Sequence, residues 1–314
     1  MNWSLEERTT QVVEIDESLI GSGDFLAIFR LDGLDPLVMY GTGSHAGHST
    51  MALRFDGELY VVESQDAWYW PVKSIQRNKF SDWIQYAANA DFHVVHMPLS
   101  PASKAIFDEK AANDFFFETE GVPYGYHNFL FGWIDTPEEN WPPLLPQEFL
   151  PILMSVLNNI APEAADSLYF QAMNKRFQTV GKTPEQLATL AANQGLTMET
   201  VIAEVEMDGW VYSDGVSMVC SAYVAAMYKA AGLFGDMEVQ AVEFTPRDVY
   251  VLNVFDTNYT RPQVCVDADP TSNFCQLLGK YRMTFPGYST IDPYPHMNEA
   301  CPTVAPLYAR PNGC

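Results

Sequence analysis

An Asp-Gly pair at positions 56 and 57 separates two runs of apolar and β-branched residues, "HSTMALRF" (48–55) and "ELYVVES" (58–64). In this setting, an Asp-Gly pair is the strongest short-range signal of a two-residue β-hairpin turn. Counted back across the turn, Glu63 falls almost opposite the start of the first strand, where His48 stands. The chain is therefore expected to contain an antiparallel sheet with a carboxylate close to an imidazole.

Strand and helix patterns alternate along the rest of the chain. Strands are expected at 24–32, 91–99 and 249–255, and a helix at 100–121 begins with a Ser-Pro capping pair. After a Pro-rich bend, helical patterns follow at 146–160, 162–179, 183–195 and 197–207. This order predicts an α+β fold with an antiparallel sheet and a helical insertion. The expected division is a main domain at 1–134 and 211–258, a helical insertion at 135–210 and a cysteine-rich extension at 259–314.

Composition limits the class of partner. The 314 residues include 40 acidic and 17 basic side chains, for a formal net charge of −23, which repels phosphate backbones and anionic lipid surfaces. We therefore expect no nucleic-acid partner. Hydrophobic residues make up 47% of the chain, but no uncharged apolar stretch reaches the roughly 18 residues of a membrane span. The N-terminal segment is polar and acidic and is not a signal peptide, so a secreted form would have lost its signal.

Four of the five cysteines lie in a tail rich in Pro and Asn that shows few helical or strand patterns. Such a segment needs another source of order, and two disulfides would supply it. Three pairings are possible, and the sequence does not choose among them. Zinc is the rival explanation, but the tail lacks the Cys-x-x-Cys pair usual in thiolate zinc sites, so no metal is expected. The four are Cys265, Cys275, Cys301 and Cys314.

Two N-glycosylation sequons agree with a disulfide-bonded tail. They begin at Asn2 and Asn258, and such sites are glycosylated on the secretory route. Together with the cysteines, they predict a secreted or lumenal protein, either extracellular or in a lysosome-like compartment. The sequence does not predict the oligomeric state.

The fifth cysteine, Cys220, stands alone at the start of the helical pattern "CSAYVAAMYKAAG". A helix N-terminus stabilises a thiolate, and a neighbouring protonated histidine stabilises it further, as a nucleophile requires. The alternative is a buried structural cysteine, which is a common fate of a free thiol. A histidine partner for Cys220 would favour the nucleophile.

Among the six histidines, His48 is the preferred partner because Glu63, across the hairpin, could fix its tautomer as the acid of a triad does. His45, three residues earlier, stays open as the alternative. His93 and His96 lie three apart in one predicted strand, so they face opposite sides and form no common metal site.

Three segments in order carry a family resemblance: "SGDFLAIFR" (22–30), "GHSTMALRFDGELYVVES" (47–64) and "VCSAYVAAMYKAAG" (219–232). They resemble the circularly permuted papain-like enzymes of the NlpC superfamily, of the YiiX and YaeF type. These enzymes place a Glu 15 residues after the histidine, as Glu63 follows His48. They usually have Ser before the histidine, where this chain has Gly. The local pattern "SHAG" at 44–47 fits better but breaks the 15-residue spacing.

The resemblance implies a cofactor-free thiol hydrolase, an amidase or peptidase that acts on a small peptide or N-acyl substrate. Cys220 would be the nucleophile, His48 the general base and Glu63 the residue that orients it. A lipid acyl hydrolase or acyltransferase of the lecithin–retinol acyltransferase type is one alternative. A non-enzymatic secreted binding or structural protein on a relict papain-like scaffold is another.

Aromatic residues flank these motifs and are candidates for substrate binding. Tyr124 and Tyr126 could donate hydrogen bonds from their hydroxyls, and Trp68, with its aromatic neighbours in "AWYWP", could form the wall of an acyl pocket. Packing within the core is the alternative role for all of them. The helical insertion is expected to cover or flank the cleft, since it begins and ends beside these motifs.

Overall fold

A computed structural model describes residues 5–66, 74–133, 150–202, 206–210, 212 and 216–297. Within these residues, six strands form one sheet of order β4-β3-β2-β1-β5-β6, and all neighbouring strands are antiparallel. The α+β class and the antiparallel sheet are thus confirmed. The strands are β1 (Phe25–Phe29), β2 (His48–Phe55), β3 (Glu58–Ser64), β4 (Ile75–Lys79), β5 (His93–Met97) and β6 (Cys275–Leu278).

The β2–β3 hairpin has the predicted register. Asp56 and Gly57 adopt φ angles of 51° and 84°, as both central residues of a type I′ turn must. Met51 pairs with Val62, which brings Glu63 one step closer to the start of β2. The turn chemistry therefore decides which residues stand beside His48.

Helices cover both faces of the sheet, and their bounds are given in chain order. They are α1 (Asp35–Thr42), α2 (Phe80–Asn89), α3 (Pro101–Ile106), α4 (Glu109–Thr119), α5 (Asn128–Phe131), α6 (Leu150–Ile160), α7 (Pro162–Ala165), α8 (Gln171–Arg176), α9 (Pro184–Asn193), α10 (Met198–Ile202), α11 (Cys220–Ala230), α12 (Pro246–Val251) and α13 (Gln263–Ala268). One turn of π-helix at Asp166–Phe170 joins α7 to α8.

Alternate residues of the central strand β1 enter two different cores, because successive side chains of a strand point to opposite faces. Phe25 and Phe29 pack in the core that also contains α11, whereas Leu26 and Ile28 pack with Trp83 of α2 on the other face. Both faces are therefore buried, and α11 lies on one of them along its length.

Two predicted elements differ in the structure. The helix expected at 100–121 is divided into α3 and α4, because the Asp108 side chain accepts a hydrogen bond from Ala111 N and so starts a second helix. The prediction of a strand at 249–255 is wrong, because residues 249–251 form the end of helix α12 and residues 252–255 follow it. Thr245 and Asp248 form a reciprocal capping box there, and Pro246 occupies the first turn, so local capping outweighs the apolar pattern.

The helical block found at 150–202 agrees with the helical patterns expected before Trp210. Leu130 and Phe131 of α5 pack there with buried residues of α8, α9 and α10, in a third core separate from the other two. No described helix is both long enough and apolar enough to span a membrane.

The C-terminal tail has more regular structure than its composition indicates. Gln263–Ala268 form α13, and Cys275–Leu278 extend the sheet beyond β5. One predicted disulfide is present, between Cys265 and Cys275. Cys301 and Cys314 lie outside the described residues. The described part of the tail thus has few regular elements, as expected, but pairing of β6 with β5 supplies order that local sequence does not reveal.

Candidate active site

The predicted site residues meet at one end of the sheet. Since neighbouring strands are antiparallel, β1 ends, β2 begins and β3 ends at this same end of the sheet. His48 is the first residue of β2, and Glu63 is the last residue but one of β3. Cys220 begins α11 and packs in the core beneath that helix. Topology, not sequence proximity, thus brings the three side chains together.

Glu63 holds the imidazole of His48. The distance from Glu63 Oε2 to His48 Nε2 is 2.8 Å, and neither side chain has appreciable access to solvent. Trp83 Nε1 donates to the other carboxylate oxygen of Glu63 at 3.0 Å, and Gln65 Nε2 approaches Oε2 at 3.4 Å. Both carboxylate oxygens are therefore occupied, which fixes the orientation of Glu63 and, through it, of the imidazole.

Cys220 is the other partner of His48, and its side chain lies beside the imidazole. Because Glu63 takes Nε2, Nδ1 is the ring nitrogen left for the sulfur. Burial lowers the pKa of His48, but the interactions with Cys220 and Glu63 outweigh it and raise that pKa to about 10. The imidazole is thus held protonated at neutral pH, beside the Cys220 sulfur and the Glu63 carboxyl group.

Tyr124 also lies beside the Cys220 side chain. Burial, followed by the charges of Cys220 and Asp66, holds the pKa of Tyr124 well above its usual range, so its hydroxyl stays protonated and can donate. Tyr126 packs edge-on against Tyr124, with ring centroids 4.8 Å apart, and belongs to the wall around that hydroxyl. Trp68 lies outside the described residues.

The segment before Cys220 is held by main-chain and side-chain hydrogen bonds. Met218 O accepts from Ser64 Oγ at 2.7 Å and from Gly125 N at 3.0 Å, and Val219 N donates to Asn128 Oδ1 at 2.8 Å. A Cβ on Gly125 would lie 2.6 Å from Met218 Cα, so only glycine allows this approach. The two residues before Cys220 are therefore held by hydrogen bonds to neighbouring elements, and this fixes the position of the sulfur.

A second buried acid–imidazole pair supports this segment from the helical block. Glu206 Oε2 accepts from Asn128 Nδ2 at 2.9 Å, and Glu206 Oε1 lies 3.0 Å from His127 Nε2. Lys175 of α8 also hydrogen-bonds Ser217 Oγ. Residues of the helical block thus lie against the chain that leads into Cys220.

The side chain of His45, the alternative histidine, has a different partner from that of His48. Its Nδ1 lies 3.2 Å from Thr284 Oγ1, and burial lowers its pKa. Gly47 explains the departure from a Ser-His pair, because a Cβ at Gly47 would lie 2.3 Å from Asp35 Cβ. The structure therefore accommodates glycine, and not serine, before His48.

The remaining predicted residues lie away from this site. Asn258 is exposed beyond α12, whereas Asn2 is outside the described residues. Cys220 is the free cysteine of the described chain, and no group of three potential ligands in that part of the chain could hold a metal ion.

Sequence reasoning missed Trp83, Asn128 and Glu206. Trp83 lies 20 residues from Glu63 and Asn128 lies 91 from Val219, so no local pattern linked them. The available signals were weak: an apolar stripe for Trp83 and a single acid after a helical run for Glu206.

Comparison with known proteins adds little to this description. No family model matches the chain. An uncharacterized protein, ORF39, of Ictalurid herpesvirus 1 is 34% identical over 70 residues, which are 22% of this chain and 6% of that protein. A crystal structure of metalloprotein yiiX from Escherichia coli O157:H7 covers 46% of this chain and 67% of its own, with 15% identity and a TM-score of 0.26.

Proposed function

We propose that this protein is a thiol hydrolase with a permuted papain-like arrangement, in which Cys220 is the nucleophile, His48 the general acid and base, and Glu63 the residue that orients His48. The observation that carries the proposal is the single imidazole of His48, which hydrogen-bonds Glu63 and lies beside Cys220 inside a buried site. A structural cysteine has no need of an oriented, protonated imidazole.

The reaction follows from the charges of these groups. The Cys220 thiolate attacks a carbonyl carbon, and the carbonyl electrons move onto oxygen. The Cys220 main-chain N–H, which has no acceptor within its own helix at this first position, and the Tyr124 hydroxyl can donate to that oxyanion. His48 gives its proton to the leaving amine as the carbon–nitrogen bond breaks, which leaves a thioester on Cys220. His48 then takes a proton from water, whose oxygen attacks the thioester and releases the acid.

Substrate access requires the site to open, since 2% of Cys220 and 3% of His48 are exposed. The contacts of Lys175 with Ser217 and of Glu206 with Asn128 support a lid role for the helical insertion at 135–210. A lid of this kind excludes water and selects small peptide or N-acyl substrates. Replacing residues 138–206 with a Gly-Ser linker should then change KM and substrate preference in a protein that still folds, and unchanged kinetics would contradict the lid.

Alkylation of Cys220 by iodoacetamide, followed by peptide mass mapping, tests the nucleophile. The pKa of an ordinary thiol is about 8.5, so its alkylation rate rises roughly tenfold per pH unit below that value. A thiolate paired with His48 should react at a rate nearly independent of pH between about 6 and 8. His48→Gln should restore the ordinary pH dependence, whereas His45→Gln, the matched control, should not.

An active-site assay completes the test. Peptidyl and acyl electrophiles should label the wild-type protein and fail to label Cys220→Ser and His48→Gln variants that keep a wild-type circular dichroism spectrum. Equal labelling of the wild type and the two variants would contradict the proposal and indicate a non-enzymatic protein on this scaffold.

We also propose a secreted or lumenal location. The Cys265–Cys275 disulfide and the exposed sequon at Asn258 support it, because disulfides persist in oxidising compartments. Expression through a eukaryotic secretory route should add a glycan that Asn258→Gln removes, and secretion without that glycan would contradict the glycosylation part of the proposal.

A further inference from the structure

A cavity of about 900 Å³ lies in the part of the molecule that the proposed hydrolase chemistry does not use. It is enclosed by the end of β5, the loop after α12, and the tail around β6, and it reaches His96 of β5. His96 contacts Asp24, which precedes β1, whereas Cys220 and His48 are at the opposite end of β1. Cavities of roughly 300–1,000 Å³ are usual for organic ligands.

The wall of this cavity is preorganised by covalent and ionic links. The Cys265–Cys275 disulfide closes the loop that carries Thr271 and Phe274, both of which line the cavity. Arg282 binds Asp269 of the same loop through two hydrogen bonds of 2.7 and 3.0 Å. A wall held in this way loses little entropy when a ligand binds.

The floor contains buried polar atoms that lack a partner. Asp24 Oδ2 lies 2.8 Å from His96 Nε2, so Nδ1 is the ring nitrogen left for another hydrogen bond. His96 is 1% exposed, and its Nδ1 is without a hydrogen-bond partner in the described chain. The Tyr259 hydroxyl, whose ring packs edge-on against His96, likewise has no partner there. Buried polar atoms of this kind are costly unless a hydrogen-bonding group reaches them.

The charged side chains of the cavity wall already have partners. The Arg282 guanidinium is engaged by Asp269 and Glu6, and that of Arg261 by the main-chain carbonyls of Asp269 and Pro270. Asp256, the acidic residue of the wall, accepts a hydrogen bond from Asn258 N at 2.9 Å. The net charge of −23 disfavours an anionic ligand.

Aromatic rings supply an apolar surface beside His96 Nδ1 and the Tyr259 hydroxyl. Phe274 packs edge-on against Tyr288 with centroids 5.1 Å apart, and Tyr259 stands near His96. Burial, followed by the charges of Asp24 and Asp256, raises the pKa of Tyr259 to about 12, so its hydroxyl stays protonated. The cavity thus combines aromatic faces with hydrogen-bonding groups and little free charge.

We infer that this cavity binds a neutral, hydroxyl-rich ligand with an apolar face, which is the chemistry of an oligosaccharide. Sugar hydroxyls would hydrogen-bond His96 Nδ1 and the Tyr259 hydroxyl after a small displacement of the Tyr259 ring, and the C–H faces of the sugar would pack on the rings. The site would make the disulfide-bonded tail a carbohydrate-binding surface of the protein, independent of chemistry at Cys220.

Saturation-transfer difference NMR with maltotriose, cellotriose and chitotriose tests the inference on the full chain, at about 10 mM sugar because such affinities are commonly millimolar. At least one sugar should show transfer. Tyr259→Phe, which keeps the ring, should weaken its binding about fivefold to tenfold. Asn273→Trp, at an exposed position of the cavity mouth, should abolish it.

Two controls keep the test decisive. Tyr86→Phe and Asn193→Trp, at exposed positions outside the cavity, should bind as the wild type does. Absence of saturation transfer from folded protein to any of the three sugars would overturn the inference. Binding that Asn273→Trp leaves intact would overturn it too, as would preferential binding of choline or inorganic phosphate at the same cavity.

Discussion

At the scale of single residues, the site depends on hydrogen bonds that fix one carboxylate. Glu63 is fully buried and is held by His48 and Trp83 on its two oxygens. A carboxylate held in this way cannot rotate away from the imidazole, so Trp83 acts on the proposed chemistry through Glu63. Trp83 is accordingly a positioning residue and does not touch the sulfur.

Trp83→Phe removes the indole N–H and keeps an aromatic ring. We expect kcat to fall about tenfold with KM little changed, because the loss of about one hydrogen bond to a charged group loosens the orientation of Glu63. Steady-state kinetics on an electrophilic ester or amide substrate would measure this. Trp133→Phe is the matched control, since Trp133 Nε1 donates to Phe244 O at 3.1 Å and not to Glu63. Equal loss of rate in both variants would assign Trp83 a purely structural role.

Titration of His48 gives a second prediction at this scale. Its pKa of about 10 lies above the ordinary value of 6.5, so the protonated ring should persist through neutral pH and be lost only as the pH rises through 10. Steps that need His48 as the acid should therefore decline on the alkaline side. The ¹³Cε1–¹H NMR signal of His48 would give the midpoint, which should fall in Cys220→Ala because the thiolate charge is gone. A wild-type midpoint near 6.5 would contradict the ion pair.

At the scale of elements, the start of α11 is held by a turn at α5 and by the helical block. Asn128, the first residue of α5, accepts from Val219 N and donates to Glu206, and all three are buried. The block that sequence patterns describe as an insertion is thereby linked to the residue that precedes Cys220.

Asn128→Ala should break this link. We expect a loss of stability of about 2 kcal/mol, because Val219 N and Glu206 are left unsatisfied, and a fall in the iodoacetamide rate at Cys220 as α11 shifts. Asn174→Ala is the control, since Asn174 is also buried and bonds Phe170 O and Lys182 O inside the helical block. It should lower stability without changing the Cys220 rate, and a change of that rate in both variants would refute the specific role of Asn128.

At the scale of the whole molecule, the segment around Arg8 meets the β6 region at one edge of the sheet. Arg8 donates to Gln276 O at 2.8 Å and to Gly279 O at 3.0 Å, so the N-terminal segment lies on the β6 region. The tail therefore belongs to the same structure as the sheet, although composition sets it apart. The two ends of β1 then have different proposed roles, catalysis at one and ligand binding at the other.

Removing the disulfide tests this division. Replacing both Cys265 and Cys275 with Ser should lower the free energy of unfolding by about 3 kcal/mol, as expected for a loop of this length. It should leave the alkylation rate of Cys220 unchanged at temperatures well below the new midpoint, because the disulfide is remote from α11. Chemical denaturation and alkylation on the same samples would show both effects, and a changed Cys220 rate in fully folded protein would contradict the separation of the two ends.

The sequence by itself determined the β2–β3 hairpin and the start of α11, because each depends on local chemistry: an Asp-Gly turn and a helix start. The approach of Cys220 to His48 was decided by the tertiary structure. His48 and Glu63 are joined by two strands and one turn, so their contact could be counted. The tertiary structure alone decided the roles of Trp83, Asn128 and Glu206, and the place of Cys275–Leu278 in the sheet. These contacts join residues far apart in the chain, and their hydrogen bonds and strand pairing leave no period or motif in the sequence. At helix α12 the sequence prediction was wrong, because a capping box outweighed an apolar pattern that by itself favoured a strand.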